Sequence, residues 1–450
     1  MTYQFPPGPK PKPVVGNVLD FRKGQIAFLT GLQRQYGKAS TFYFGAFPAV
    51  LFTTAEAVRY VMVENAKNFT IREIAQGLQL LLGDALLTTD GDFHQRQRRL
   101  VLPAFHRKRV VSYRDVMIAY TERMLEDWQP GQQVNLAVEM QKLTLRIVGK
   151  ALFDVDLTQK SSTLGRAFDN VRVYPNRRRF SLHSFRVNLP FTTYGKFVRG
   201  KALLDKFVYD LIAKRRAKEE DAGDVLSMLL AARDEDGSAL TDVQVRDEIM
   251  TLLAAGHETT SNALTWTFYL LSQYPAERDK LLAELHSVLH GRAPTVEDLA
   301  QLPYLEMVVK ESMRLYPPAW MLGRRAIEDY ELEGYHLPAG SFIILSPWVF
   351  HHMSEYFAEP ERFWPERFDP ETGEKHQPFS YFPFGAGSRM CIGSTFAMME
   401  ARLLLATILQ RYSPVLVPGH PVVPQPMVTI RPKFGMQMVL EPTKEAVPAV

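Results

Sequence analysis

One cysteine, Cys391, serves all 450 residues. That scarcity excludes a disulfide framework, a multi-thiolate zinc cage and an iron–sulfur cluster, so if the thiol binds metal it is the one protein ligand of a metal otherwise held by a cofactor. Long apolar runs are missing as well. The N-terminus is rich in proline from Phe5 to Pro13 and contains neither the apolar core of a signal peptide nor a spanning stretch, which predicts a cytoplasmic protein without a membrane anchor. Charge of one sign is scarce too: the net is +4, with no zinc-finger, arginine-rich or RNA-binding signature, so nucleic acid is not an expected partner. No repeat or long linker divides the chain. The arm 1–13 and the tail 441–450 are the segments expected to be loosely held, and a monomer is expected.

What is present around Cys391 narrows the chemistry. Phe384-Gly385-Ala386-Gly387-Ser388-Arg389-Met390-Cys391-Ile392-Gly393 is a glycine-punctuated loop that starts on an aromatic residue. Gly385, Gly387 and Gly393 allow close backbone approach, and Phe384 can cover one flank of the sulfur. Ile392 through Arg411 reads as a helix, apolar at Phe396, Met399, Leu403 and Leu404, whose positive N-terminal end would face the thiol and lower its pKa. A thiolate held in this way suits one axial face of a haem iron. Taken alone, a single cysteine is more often a small buried hydrophobe, so the rest of the chain must decide.

Most of that remainder carries helical periodicity. Thr41–Phe44 and Val50–Phe52 read as a hairpin followed by a helix from Thr54 to about Glu64. Tyr330–Leu332, Tyr335–Leu337 and Ser341–Leu345 read as short strands, and Met427–Leu440 as another hairpin. An unusually long helix is expected from Thr241 to about Ser272, started by a Thr241/Gln244 capping box and stopped by Pro275. Its middle, Ala254-Ala255-Gly256-His257-Glu258-Thr259-Thr260, places weak helix formers in an interior. A helix from about Pro303 to before Pro317 sets Glu311 and Arg314 on one face, which in isolation reads as a surface ion pair.

The Cys loop resembles that of the cytochromes P450, with Phe384, Gly385, Gly387, Arg389, Cys391 and Gly393 filling every place of the family signature. The resemblance implies a mainly α fold with small β-sheets, one haem-thiolate monooxygenase domain over 1–450, and haem b between the long central helix and the Cys loop with its proximal helix. Cys391 would be the iron ligand. Ala255, Gly256, Glu258 and Thr259 match the family's oxygen-side groove, where the glycine lets haem approach while Glu258 and Thr259 manage protons and water. Glu311, Arg314 and Arg367 match its structural Glu–Arg–Arg set. His94, Arg98, Arg324 and Arg389 are expected on the haem propionates, with Arg325 an alternative to Arg324; Phe384, Gly385 and Ala255 would also border the haem.

By order along the chain, the substrate pocket would draw on Phe69, Leu78, Leu82, Phe180, Ala255, Thr259, Ala319, Trp320, Met321 and Val428. The implied reaction inserts one atom of O2 into an apolar small molecule. Its NAD(P)H-derived electrons would come through a separate ferredoxin or flavodoxin docking near Arg96, Arg99, Arg107 and Lys108. Two other readings are a peroxide-driven or isomerising haem-thiolate enzyme, whose members usually lack the acid–Thr pair, and a non-catalytic haem-binding sensor, which should carry a signalling segment.

Overall fold

The computed structural model describes residues 3–178, 188–218, 223–233 and 237–443, except for the side chains of 107–108, 172–173 and 175–178. The architecture is built around one helix. Asp242–Gln273 runs for 32 residues, close to 48 Å at the α-helical rise, and most of its side chains are buried. Thr241 opens it with the expected capping box: Thr241 Oγ1 accepts from Gln244 N at 3.3 Å, and Gln244 Oε1 accepts from Thr241 N at 2.9 Å. Pro275 begins the next helix.

Against this central helix pack Leu136–Phe153, Thr193–Lys218, Pro303–Leu315 and Ser394–Leu409. The weak formers in its middle have local compensation. The side that Gly256 leaves bare faces Val148, whose Cγ2 would lie 3.0 Å from an added Cβ, and Thr144 Oγ1 donates to His257 O at 2.9 Å. Gly256 therefore serves the close approach of two helices. The hydroxyls of Thr259, Thr265 and Thr267 each donate to the carbonyl four residues back, so these residues are satisfied inside the helix.

A second core lies under a five-stranded sheet, in the order Ala39–Phe44, Phe47–Phe52, Phe342–Leu345, Leu322–Ala326, Phe69–Thr70. The first two strands form the expected hairpin, while Phe47–Phe52 and Phe342–Leu345 pair in parallel. Thr54 caps the helix that follows the hairpin by accepting from Ala57 N, and this helix widens into a π-turn over Tyr60–Glu64. Met427–Leu440 is not one hairpin. Pro424–Pro426 pairs with Ile430–Pro432, and Gln437–Pro442 instead joins Gln133–Asn135 and Tyr412–Leu416. Gly435, at φ 73°, supports the change of direction between them, because a side chain there would be strained and would meet Asn135.

Candidate functional site at the Cys391 loop

The loop before the helix Ser394–Leu409 is closed by its own backbone: Gly385 N donates to Phe382 O at 3.0 Å and Cys391 N to Phe384 O at 2.9 Å. Gly387 is required here. It sits at φ 65°, and a Cβ would come 1.9 Å from the carbonyl oxygen of Met62. Cys391 carries accessible surface even though protein closes round it. Burial pushes its thiol pKa up, against the opposing pull of the Gly393 N–H and the Arg98 guanidinium. The expected lowering by the helix end is therefore outweighed in the protein alone. A coordinated metal, by contrast, deprotonates a thiol outright.

Beside the loop, Arg98 Nη1 donates to Met390 O at 2.9 Å, and Arg389 pairs with Asp90 at 2.6 Å and with the carbonyl of Thr89. Arg324 is 9% exposed; burial and the Arg389 charge lower its pKa to about 10. Its Nη1 donates to Gly323 O at 2.8 Å, and no ion pair of Arg324 occurs among the described residues. Arg325, its neighbour on the strand, points the other way: it pairs with Glu73 at 3.0 Å and lies over Phe342. Arg324 rather than Arg325 thus faces the cluster. His94 is buried, and burial followed by the charges of Arg389, Arg98 and Arg324 lowers its pKa to about 4. In the protein alone it is a neutral imidazole near pH 7.

Sequence reading missed Asp90. It resembles a helix cap, but its carboxylate accepts instead from Thr70 Oγ1 at 2.5 Å and Ile71 N at 3.1 Å and pairs with Arg389. Three guanidiniums against this one carboxylate leave two positive charges in excess. Ala255, meanwhile, is exposed in the middle of a helix that is otherwise largely buried. An accessible thiol, an accessible small residue on the central helix and an excess of two positive charges among the described residues fit a flat macrocycle with two carboxylates.

On the central helix, Thr259 Oγ1 donates to Ala255 O at 2.7 Å, so its oxygen is left able to accept. Glu258 turns elsewhere: its Oε1 accepts from Thr429 Oγ1 at 2.7 Å, and Thr429 in turn accepts from Asn262 at 3.0 Å. Successive helical residues diverge by about 100°, which is why the acid and the hydroxyl do not share one direct partner.

Several expected pocket residues lie elsewhere. Phe69 is core, edge-on to Tyr60 and Tyr330. Trp320 is buried and donates to Met427 O at 3.0 Å, and Leu82 is buried in the helical core. Leu78, Ala319 and Met321 are half-buried, and Val428 is exposed. Phe180 lies outside the described residues, as do the side chains of Arg107 and Lys108. Arg99 is exposed and Arg96 half-buried on the helix whose inward side carries His94.

Glu311, Arg314 and Arg367 are brought together with no exposure at all, not on the surface as an isolated Glu-x-x-Arg suggests. Glu311 accepts from Arg314 at 2.7 and 2.9 Å, from Arg367 at 3.1 Å and from Trp364 N at 2.9 Å.

The profile of the family described as Cytochrome P450 matches residues 6–439. The chain belongs to the cytochrome P450 family, and as such is an oxidoreductase of the haem-dependent monooxygenase class. It is 35% identical over 433 residues to cyclooctatin synthase of Streptomyces melanosporofaciens, covering 96% of this chain and 94% of that one. Identity is 34% to cyclooctat-9-en-7-ol 5-monooxygenase of the same organism, over 90% and 89% of the two chains. Pentalenene oxygenase of Streptomyces avermitilis is 32% identical over 93% of each. Among solved structures, retinoic acid bound cyanobacterial CYP120A1 superposes with a TM-score of 0.88 at 28% identity, over 98% of this chain and all of that one. No helix among the described residues is long and apolar enough to cross a membrane.

Proposed function

We propose that this protein oxygenates a bulky, largely hydrocarbon substrate of terpenoid type, using haem b and electrons from a separate carrier. The observation that carries the reading is the excess of two positive charges among Arg98, Arg324, Arg389 and Asp90, beside the one cysteine of the chain. Cys391 would ligate the iron; Arg98, Arg324 and Arg389, with the His94 ring, would hold the propionates. When bound, the haem supplies O2 binding and reductive O–O cleavage favoured by its thiolate.

The chain's own residues contribute orientation and protons. The Thr259 oxygen can accept a hydrogen bond from a water at the groove while its proton stays on Ala255 O. Glu258, whose carboxylate is oriented by Thr429 and through it by Asn262, would be the ionisable group that supplies protons on this side of the helix. Overall, substrate C–H, O2, two electrons and two protons give C–OH and water. The substrate class follows from the relatives, whose names specify a cyclic alkenol and an olefin, and from the half-buried apolar side chains of Leu78, Ala319 and Met321.

The test is to reconstitute the haem-loaded protein with ferredoxin, reductase and NADPH and offer a panel of cyclic terpene olefins and alcohols under 18O2. One labelled oxygen per product, dependent on the reductase, is expected. Full-rate product from H2O2 without reductase would overturn the reading in favour of a peroxide-driven enzyme.

A further inference from the structure

Three consecutive charged residues, Arg246, Asp247 and Glu248, are buried near the start of the central helix and are absent from the chemistry above. Each holds a different point of one short turn. Arg246 Nη2 donates to Leu81 O at 2.7 Å, Asp84 N donates to Asp247 Oδ2 at 2.9 Å, and Leu86 N donates to Glu248 Oε1 at 2.9 Å. Arg246 also pairs with Asp205 of the helix Thr193–Lys218, its Nε lying 2.9 Å away. Gly83, at φ 67°, makes the contact possible: a Cβ there would lie 2.0 Å from Asp247 Oδ2.

The held turn closes the helix Arg72–Leu82, which packs on both the central helix and the strand Leu322–Ala326 that carries Arg324. On the same turn Leu87 stands 44% exposed, and a few residues on, the Thr89 carbonyl and Asp90 meet Arg389. The turn therefore borders the space between the oxygen-side groove and the propionate arginines. We infer that Arg246, Asp247 and Glu248 are positioning residues that fix this wall of the ligand cavity and so set the affinity for large ligands. Glu248 is fully buried, with one carboxyl oxygen unpartnered among the described residues; burial first, then Asp247, raises its pKa to about 8 even though the Leu86 N–H opposes this. It is thus a neutral acid at pH 7, and glutamine should replace it.

The inference rests on the haem-monooxygenase reading, so two azoles that coordinate haem iron separate the two. Holoenzyme is titrated with imidazole, too small to reach the wall, and with clotrimazole, which must touch it. Glu248→Ala and Arg246→Ala should weaken clotrimazole by about tenfold, the scale of one lost buried hydrogen bond, and leave imidazole within about twofold. Glu248→Gln should bind both as wild type. Gly83→Ala keeps all three charged residues but drives a Cβ into the Asp247 carboxylate, so the turn and its hold on Asp247 must part; it should reproduce the selective loss even if the alanine variants load haem poorly. Equal weakening of both azoles, or wild-type clotrimazole affinity in Gly83→Ala and the alanine variants, overturns the inference. Absence of any imidazole-induced Soret shift in the wild type would instead sink the haem reading.

Discussion

Two regions of this molecule gather arginines from distant segments, and they treat charge in opposite ways. In the knot around Glu311 the donors are matched internally: Arg314 also donates to the carbonyls of His351, Pro360 and Arg362, and Arg367 to Ala358 O and Glu374. Beside the Cys loop the account does not close: among the described residues Arg98, Arg324 and Arg389 meet one carboxylate, that of Asp90, and burial first, then the Arg389 charge, lowers the pKa of Arg324. Buried charge that is fully compensated is scaffold, since each group's desolvation is offset where it stands. Buried charge left in excess marks a place for a ligand of opposite sign.

Emptying the open site should be the largest functional effect and the smallest structural one. Cys391→Ser removes the one thiol, so the red-shifted Soret band of the reduced CO complex should vanish completely while far-UV circular dichroism stays native. Survival of the band would break the assignment. In the closed knot the order reverses. Glu311→Ala strands the Arg314 guanidinium and removes one of two carboxylates from Arg367 in a region without exposure, and a loss of about 3–5 kcal/mol in urea unfolding of the haem-free protein is expected. Arg324→Gln sharpens the contrast: removing an uncompensated charge should leave haem-free stability unchanged or higher, while haem transfer to apomyoglobin quickens by about tenfold, the effect of one charge-assisted hydrogen bond. Should Arg324→Gln destabilise the haem-free protein as Glu311→Ala does, the two regions would not differ in kind.

The same contrast explains what could be read in the residue order. The long central helix was legible because its capping box, its length and its proline stop are local signals, and Thr241, Gln244 and Pro275 all act as their types predict. The Glu311–Arg314–Arg367 knot was legible only through family resemblance; spacing gave a surface pair because burial of a polar pair depends on what packs over it. Asp90, the neutrality of His94 and the raised Cys391 thiol were out of reach for the same reason, as each is set by groups far apart in the chain. Phe69 shows the converse error: an aromatic residue in a segment assigned to the pocket is taken up by Tyr60 and Tyr330. Glu258 stands out through its motif, but its tie to Thr429 spans 171 positions and leaves no periodic trace.

That tie bears on how protons reach the groove, and it separates two neighbouring residues. Thr259→Ala deletes the oxygen that can accept from a groove water, so NADPH consumption should continue while H2O2 rises severalfold at the expense of product. Glu258→Gln keeps the bond from Thr429 but removes the ionisable group, so turnover itself should fall, by about tenfold to a hundredfold, with an altered solvent isotope effect. Identical phenotypes would mean that the two side chains act as one unit despite their separate partners.

The smallest effect belongs to the outer side of the cationic region. On the helix Gly91–Val101, His94 is buried and Arg98 is tied to the Cys loop through Met390 O, whereas Arg99 is exposed and Arg96 half-exposed. Charges at the surface act through water, where they steer an encounter more than they hold a complex, and salt screens them beyond about 8–10 Å. Reversing Arg96 and Arg99 to Glu should therefore slow reduction by an acidic ferredoxin by about tenfold at low ionic strength, with substrate-induced spectral shifts untouched. The difference should shrink as salt rises. Stopped-flow reduction across a salt series reads both arms at once. Equal rates at low salt would remove this face from the docking site, and a loss that persisted at high salt would mean that the two arginines belong to the interior set with Arg98, not to the surface.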